Sequence, residues 1–195
     1  MKKLALVILA GVSFATANAQ FQFGAKGGLN FSTFDGSDIE GAKTRVGFNL
    51  GVYARLPIAP HVSLQPELYY SAQGANFSNP DEKFPTNYMN LPVLLRFGVG
   101  EGFAIYTGPQ VGFLLAAHDK FNGTSTDIKD LYKSTDFSWV FGIGYRIPTT
   151  RLGIDGRYNL GISNIEDQGA SNSNGSIRNG VFQLGLTYIL FSTGK

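Results

Sequence analysis

Apolar and polar residues alternate with a period of two in eight segments of the chain. From Phe21 to Phe31, every second residue is Phe, Phe, Ala, Gly, Leu and Phe, and the residues between are Gln, Gly, Lys, Gly and Asn. This period predicts β-strands, because successive side chains of a strand point to opposite faces. The predicted strands cover about 21–33, 44–56, 62–74, 87–99, 102–116, 135–147, 151–163 and 178–191.

The apolar face of the predicted strands carries no charged residue. Examples are the alternate residues from Val46 to Leu56 and from Phe182 to Leu190. The opposite face holds charges that a dry core of this size could not accommodate. An apolar outside and a polar inside are typical of a transmembrane β-barrel, where an outward Arg or Lys at mid-membrane costs about 2–4 kcal/mol. The charged inward residues are Lys26, Arg45, Arg55, Glu67, Arg96, Arg146, Asp155 and Arg157.

The connections between the predicted strands alternate between short and long. Residues 57–61, 100–101 and 148–150 form the short connections. The long ones are rich in Gly, Asn, Ser and Asp, and they cover about 34–43, 75–86, 117–134 and 164–177. Outer-membrane barrels have short periplasmic turns, longer extracellular loops and an even number of strands. We therefore expect an all-β fold, an eight-stranded antiparallel up-and-down transmembrane β-barrel.

An eight-stranded barrel has an interior just wide enough for side chains to fill it. Isolated buried charges are too costly to keep, so we expect the eight inward charged residues to form a structural ion network in the lumen. Glu67 and Asp155 should lie among the arginines. We expect the inward glycines to make room for the arginine stems; they are Gly24, Gly28, Gly47, Gly51, Gly142, Gly144, Gly153, Gly161 and Gly185.

Three prolines lie inside predicted strands and disagree with this strand assignment. Pro66, Pro92 and Pro109 fall on three consecutive strands. Proline has no N–H to donate to a neighbouring strand, so each should mark a bulge or locally open pairing.

The first residues predict an exported protein. Lys2 and Lys3 precede an apolar run, Leu4 to Phe14, and small residues follow up to Ala19. We expect residues 1–19 to be a signal peptide and residues 20–195 to be the barrel domain. The alternative, an N-terminal anchor helix, is disfavoured because the apolar run is too short to span a bilayer. The expected location is the outer membrane. The chain has no cysteine, which leaves no acceptor for a lipid and no disulfide framework.

Charge and hydropathy exclude two other classes of protein. Without Lys2 and Lys3, 14 of the 16 basic residues remain against 14 acidic residues, so the expected mature chain has no net charge. A nucleic-acid partner would need a basic excess on one surface. No stretch of about 18 apolar residues follows the signal, which excludes a helical membrane protein.

Candidate catalytic chemistry is sparse, and we expect neither an enzyme nor a cofactor. His61 and His118 should lie at opposite ends of the barrel, so they cannot share a metal ion. His118 and Asp119, with Ser125 or Ser134 as nucleophile, would be the groups of a hydrolase or acyltransferase at the outer rim. Glu67 and Asp155 could be paired as acid and base, but a plugged lumen would deny them a substrate.

Several stretches resemble the outer membrane β-barrel domain of the PorT-like family, typical of Bacteroidota. They are Gly24–Ser32, Leu64–Ser71, Tyr88–Arg96, Gly108–Gly112 and Arg157–Asn164. The resemblance includes the prolines and implies an integral outer-membrane barrel. It implies little about activity, although the family's namesake takes part in type IX protein secretion.

The last predicted strand also resembles the C-terminal insertion signal that the barrel assembly machinery recognises. Its residues would be Gly185, Tyr188, Leu190 and Phe191. The chain departs from that pattern in its four-residue tail, 192–195.

Three functions remain open. The first is a structural or interaction role, with outer-membrane lipid around the barrel and a protein or ligand bound through loops 117–134 and 164–177. The second is a narrow channel for small solutes or ions. The third is an enzyme at the rim that acts on lipid or peptide. We favour the first, because six lysine or arginine residues in a small interior favour a plug over a pore.

Overall fold

The computed structural model of the protein describes residues 21–36, 42–77, 83–167 and 176–193. Within these ranges no helix is long and apolar enough to cross a membrane. A 3-10 turn covers Lys129–Leu131. The described residues form nine strands: β1 (Gln22–Gly36), β2 (Lys43–Ala59), β3 (Val62–Asn76), β4 (Lys83–Gly98), β5 (Phe103–Phe121), β6 (Thr124–Asp127), β7 (Thr135–Arg146), β8 (Leu152–Gly161) and β9 (Ile177–Ser192).

Eight of these strands form a closed antiparallel ring. Each long strand pairs with the next long strand in the chain, and β5 pairs with both β4 and β7. The ring closes where β1 pairs with β9, from Gln22↔Ser192 to Gly36↔Ile177. This confirms the predicted eight-stranded up-and-down barrel. We call the end with the connections after β2, β4 and β7 the short-turn end and the opposite end the long-loop end.

The strands extend further at the long-loop end than the alternation predicts. β4 begins at Lys83 instead of residue 87, and β5 continues to Phe121 instead of residue 116. The short strand β6 then folds back on β5, so that His118 pairs with Asp127. The predicted loop 117–134 is therefore partly a hairpin. All four residues of β6 are exposed, so no buried face imposes a period of two on its sequence.

Burial separates the two faces of the ring as the alternation predicts. Phe48, Ile143 and Leu186 lie on the outside, with 53%, 65% and 59% of their surfaces exposed. Arg157, on the inside, is 2% exposed. A large exposed apolar surface around the whole ring is what lipid covers in a membrane barrel.

The three strand prolines open the pairing without shifting it. At each proline, two consecutive residue pairs with the preceding strand are missing from the β-ladder. The N–H that each proline lacks would face that strand. The register is the same on both sides of each gap. This is the open pairing that the sequence allowed, not a bulge. The skips run from Tyr53↔Glu67 to Leu56↔Leu64, from Pro66↔Val93 to Tyr69↔Asn90, and from Pro92↔Gln110 to Leu95↔Thr107.

Three lumen tyrosines lie over glycines on the neighbouring strand. Gly24 pairs with Tyr53, Gly51 with Tyr69, and Gly142 with Tyr106. A Cβ added at any of these glycines would overlap its tyrosine. The expectation that the inward glycines make room for arginine stems is thus wrong at these three positions. The rings of Tyr53 and Tyr106 take the space at Gly24 and Gly142, and Cα and Cβ of Tyr69 take it at Gly51. Among the described glycines, Gly144 does agree with the expectation that an inward glycine makes room for an arginine, since a Cβ there would lie 3.0 Å from Nη1 of Arg96.

We expect Gly142→Ala to destabilise the barrel by about 1–3 kcal/mol, because the new methyl group overlaps the ring of Tyr106. Gly156→Ala is the matched control, since a Cβ there meets only Ile143, at 4.0 Å. Urea unfolding of the two variants in detergent micelles measures the difference. Equal midpoints would contradict the packing described.

The fluorescence of the single tryptophan tests which face of the barrel wall contacts lipid. Trp139 is 38% exposed on the outside of β7, and its indole N–H donates to the hydroxyl of Thr107 at 2.7 Å. Lipids brominated on their acyl chains should quench its fluorescence in vesicles. The control is Trp139→Phe with Phe121→Trp, which moves the indole to the exposed end of β5. Quenching in the control alone would overturn the assignment of the two faces.

Candidate functional site

A cluster of four charged side chains crosses the centre of the lumen. We call Lys26, Glu67, Asp155 and Arg157 the ion network. Nζ of Lys26 and Nη1 of Arg157 each lie 2.9 Å from Oε2 of Glu67. Nη2 of Arg157 lies 3.0 Å from Oδ1 of Asp155. The chain brings these residues together from β1, β3 and β8, so the network ties opposite walls of the barrel to one another.

Neutral donors complete the ion network. The amide of Gln65 donates to Oε1 of Glu67 at 2.8 Å, and the hydroxyl of Tyr106 donates to Oδ2 of Asp155 at 2.6 Å. The ammonium of Lys26 lies 4.5 Å from the ring centroid of Tyr69. A buried carboxylate is tolerated when both oxygens accept such bonds. Arg157 therefore holds two carboxylates in a lumen that offers them little water.

The structure places the other four predicted members of the network elsewhere. Arg45, nearer the long-loop end, donates to the carbonyl of Gln73 at 2.8 Å. Arg55, Arg96 and Arg146 line the mouth of the lumen at the short-turn end. Those three are not within ion-pair distance of any carboxylate that the structure describes.

Amide and hydroxyl side chains fill the lumen between the ion network and the long-loop end. We call Asn30, Asn49, Ser71, Gln110 and Gln183 the amide belt. Both Asn49 and Gln183 donate to Oδ1 of Asn30, at 2.7 and 2.9 Å, and Asn30 donates to Ser71 at 2.9 Å. The asparagines and Ser71 were not among the predicted site residues. Their position in the inward phase of the strands was the signal that could have found them.

An apolar cluster closes the long-loop end of the lumen. We call it the cap. Ile165 and Ala75 have no exposed surface there. The ring of Tyr132 lies 6.5 Å from that of Phe34, and burial raises the pKa of Tyr132 to about 12. The members of the cap are Phe34, Ala75, Phe77, Phe84, Tyr132, Ile165 and Ile177.

Backbone hydrogen bonds join the connection before β7 to the one before β9. The N–H of Lys133 donates to the carbonyl of Ile165 at 2.8 Å, and that of Asp167 donates to Leu131 at 2.9 Å. Tyr132 and Glu166 form a bridge between these two bonds. The described parts of the two predicted interaction loops, 117–134 and 164–177, therefore meet beside the cap at residues 131–133 and 165–167.

The residues considered for catalysis are not assembled into a triad. His61 lies in the turn after β2 and His118 near the opposite end of β5, so they are at opposite ends of the barrel. Ser125 and Ser134 are exposed, and no hydrogen bond among the described residues joins either hydroxyl to His118. Nor do the described residues contain a cluster of metal-binding side chains. Glu67 and Asp155 are both engaged by Arg157.

The residues expected to form the insertion signal lie on β9, at the seam of the ring. Tyr188, Leu190 and Phe191 are exposed on the outside, toward the short-turn end. The ring of Phe191 lies 6.4 Å from that of Phe21. Gly185 pairs with Gly28 across the seam. The predicted signal peptide and the end of the tail, Gly194 and Lys195, lie outside the described residues.

Comparison with known families gives one match. The model of a family described as "Outer membrane protein beta-barrel domain" matches residues 14–167. None of the curated proteins compared with the chain matches it in sequence.

Solved structures share this fold at low sequence identity. Ail, the attachment invasion locus protein of Yersinia pestis, is 17% identical with a TM-score of 0.56, covering 87% of this chain and 98% of Ail. Ail in complex with the heparin analogue sucrose octasulfate gives 17% and 0.53, covering 88% and 99%. Neisserial surface protein A is 14% identical with a TM-score of 0.55, covering 85% and 96%.

Loss of Arg157, at the centre of the lumen, should destabilise the protein far more than loss of Arg45, nearer the long-loop end. We expect Arg157→Met to lower the free energy of unfolding by about 3–5 kcal/mol, because two buried carboxylates lose their shared cation. Arg45→Met, which removes a half-buried guanidinium bonded to one carbonyl, should cost about 1 kcal/mol or less. Urea unfolding in micelles measures both. Similar losses would show that the ion network does not hold the lumen together.

Proposed function

Because the chain belongs to the outer membrane protein β-barrel domain family, we propose that it acts at the cell surface through the joined loops above its cap. The protein spans the outer membrane as an eight-stranded barrel, with lipid against its apolar outside. The short-turn end then faces the periplasm and the long-loop end faces the exterior. The role we propose is structural or one of interaction, not enzymatic.

The observation that carries this proposal is that side chains of the described residues fill the lumen. A solute moving through the barrel would have to pass both the ion network and the cap. Arg157 fills the centre, and Ile165 closes the outer end without exposed surface. Disrupting either would leave charges or apolar side chains unpartnered. This favours a plug over the alternative of a narrow channel.

The form of the outer surface supports a role in binding. The connections around Lys133 and Ile165 are fastened to each other, and the β5–β6 hairpin stands beside them with β6 fully exposed. Binding loops fixed on a rigid scaffold are a common arrangement in proteins. Ail shows that this fold occurs in a protein named for attachment. The partner of this chain would be a protein or a ligand in contact with residues 117–134 and 164–177.

Three further features belong to the same proposal. Residues 1–19 act as a signal peptide that is removed on export. The barrel assembly machinery recognises Gly185, Tyr188, Leu190 and Phe191 during insertion, and their position at the seam suits a last strand that must close the ring. Within the family, we assign the chain to the PorT-like members because of the sequences of residues 24–32, 64–71, 88–96, 108–112 and 157–164.

Photocrosslinking on intact cells tests the interaction role. A photoreactive amino acid replaces Thr126, on the exposed hairpin, or Glu101, in the periplasmic turn after β4. We expect adducts with an extracellular partner from position 126 and none from position 101. Both residues are exposed, so accessibility to solvent does not distinguish them.

Conductance measurements with the purified protein in planar bilayers complete that test. We expect no stable stepwise conductance. Stepwise conductance together with no adduct from position 126 would overturn the proposal in favour of the channel.

A further inference from the structure

The periplasmic mouth of the lumen is a recess of about 330 Å³ lined by three arginines. Arg55 reaches it from β2, Arg96 from β4 and Arg146 from β7. We call these three residues the arginine vestibule. A second, small cavity of about 10 Å³ is lined by the same three side chains and by Asp155.

The positive charge of the vestibule is not neutralised within the described part of the chain. Lys26 and Arg157 pair with Glu67 and Asp155, which are the acidic residues of the ion network. Asp155 already accepts bonds from Arg157 and Tyr106. Glu101, in the nearby turn, is not among the residues that line the recess. Among the described residues, no carboxylate lies within ion-pair distance of these three guanidinium groups, although Asp155 lines the small inner cavity beside them.

Neutral groups hold two of these arginines in place. Nε of Arg55 donates to Gln65 at 3.1 Å, and its Nη1 donates to Gln22 at 2.7 Å. Arg96 is 9% exposed, and its guanidinium lies 5.6 Å from the ring centroid of Tyr106. Side chains fixed in this way lose little further freedom when a ligand binds.

We propose that the arginine vestibule binds a phosphate group presented from the periplasmic side. Guanidinium groups match the oxygens of phosphate in pairs, and such charge-assisted bonds are about twice as strong as neutral ones. A recess with low-dielectric walls and one sign of charge also concentrates counter-ions. The phosphate comes either from a free phosphorylated solute or from an anionic lipid headgroup of the inner leaflet.

Phosphate binding by the folded mature protein in neutral-lipid nanodiscs tests this. Inorganic pyrophosphate is titrated and followed by ³¹P NMR. The double variant Arg55→Gln/Arg96→Gln should bind at least about tenfold more weakly. The matched control is Arg45→Gln/Arg178→Gln, which removes the same charge nearer the long-loop end and should leave binding unchanged. Equal losses in both variants, or none in the first, would overturn the proposal.

A second measurement uses the unaltered protein, in case the vestibule variant does not fold. Pyrophosphate at millimolar concentration, too dilute to act by exclusion from the protein surface, should raise the urea midpoint at constant ionic strength, because a ligand of the folded state stabilises it. No shift would contradict the proposal. Phosphatidylglycerol nanodiscs then separate the two sources. Competition with pyrophosphate supports the lipid headgroup, and unchanged binding supports the free solute.

Discussion

The pairing of β1 with β9 is the contact on which the rest of the molecule depends. In lipid, an unpaired backbone N–H or C=O has no water to bond with, so a sheet can cross a membrane only as a closed ring. The seam from Gln22 to Gly36 removes the two edges that an open eight-stranded sheet would expose. Closure at eight strands also fixes a narrow interior, which side chains must fill. The polar residues of the inward face then find their partners within the lumen, and Arg157 between Glu67 and Asp155 is the result.

The filled lumen changes in character along its axis. At the short-turn end lie arginines that pair with no carboxylate among the described residues, and paired charges occupy the centre. The amide belt follows, and apolar side chains close the outer end. The two ends of the barrel therefore present different chemical groups to a binding partner. At the long-loop end, the described loop residues are joined by backbone hydrogen bonds and pack as the cap, and at the short-turn end three arginines line an open recess.

The sequence contained most of the fold, because a period of two and an uncharged outside face are imposed residue by residue. It also identified which side chains face the lumen. It placed Glu67 and Asp155 among the arginines, but it could not identify which basic residue would pair with each of them. Lys26 and Glu67 are 41 residues apart and Arg157 and Glu67 are 90 apart, and their meeting depends on the stagger of strands around the ring.

Parts of the structure whose residues do not alternate between apolar and polar could not be predicted, for a related reason. The β5–β6 hairpin has no buried face, so its residues follow no alternation. The cap combines residues from four strands with others from the connections, and it exists only once the ring is closed. The glycines under Tyr53, Tyr69 and Tyr106 were assigned to the wrong neighbours, since which large side chain crosses a glycine is decided by the register.

The prolines have a mechanical consequence. Pro66, Pro92 and Pro109 interrupt three successive interfaces, whereas the ladders from β7 through β8 to β9 run without a gap. One side of the wall is thus cross-linked less densely than the other. Under lateral pressure or bilayer thinning, the barrel would bend where these residue pairs are missing. Its cross-section would become elliptical in a fixed direction.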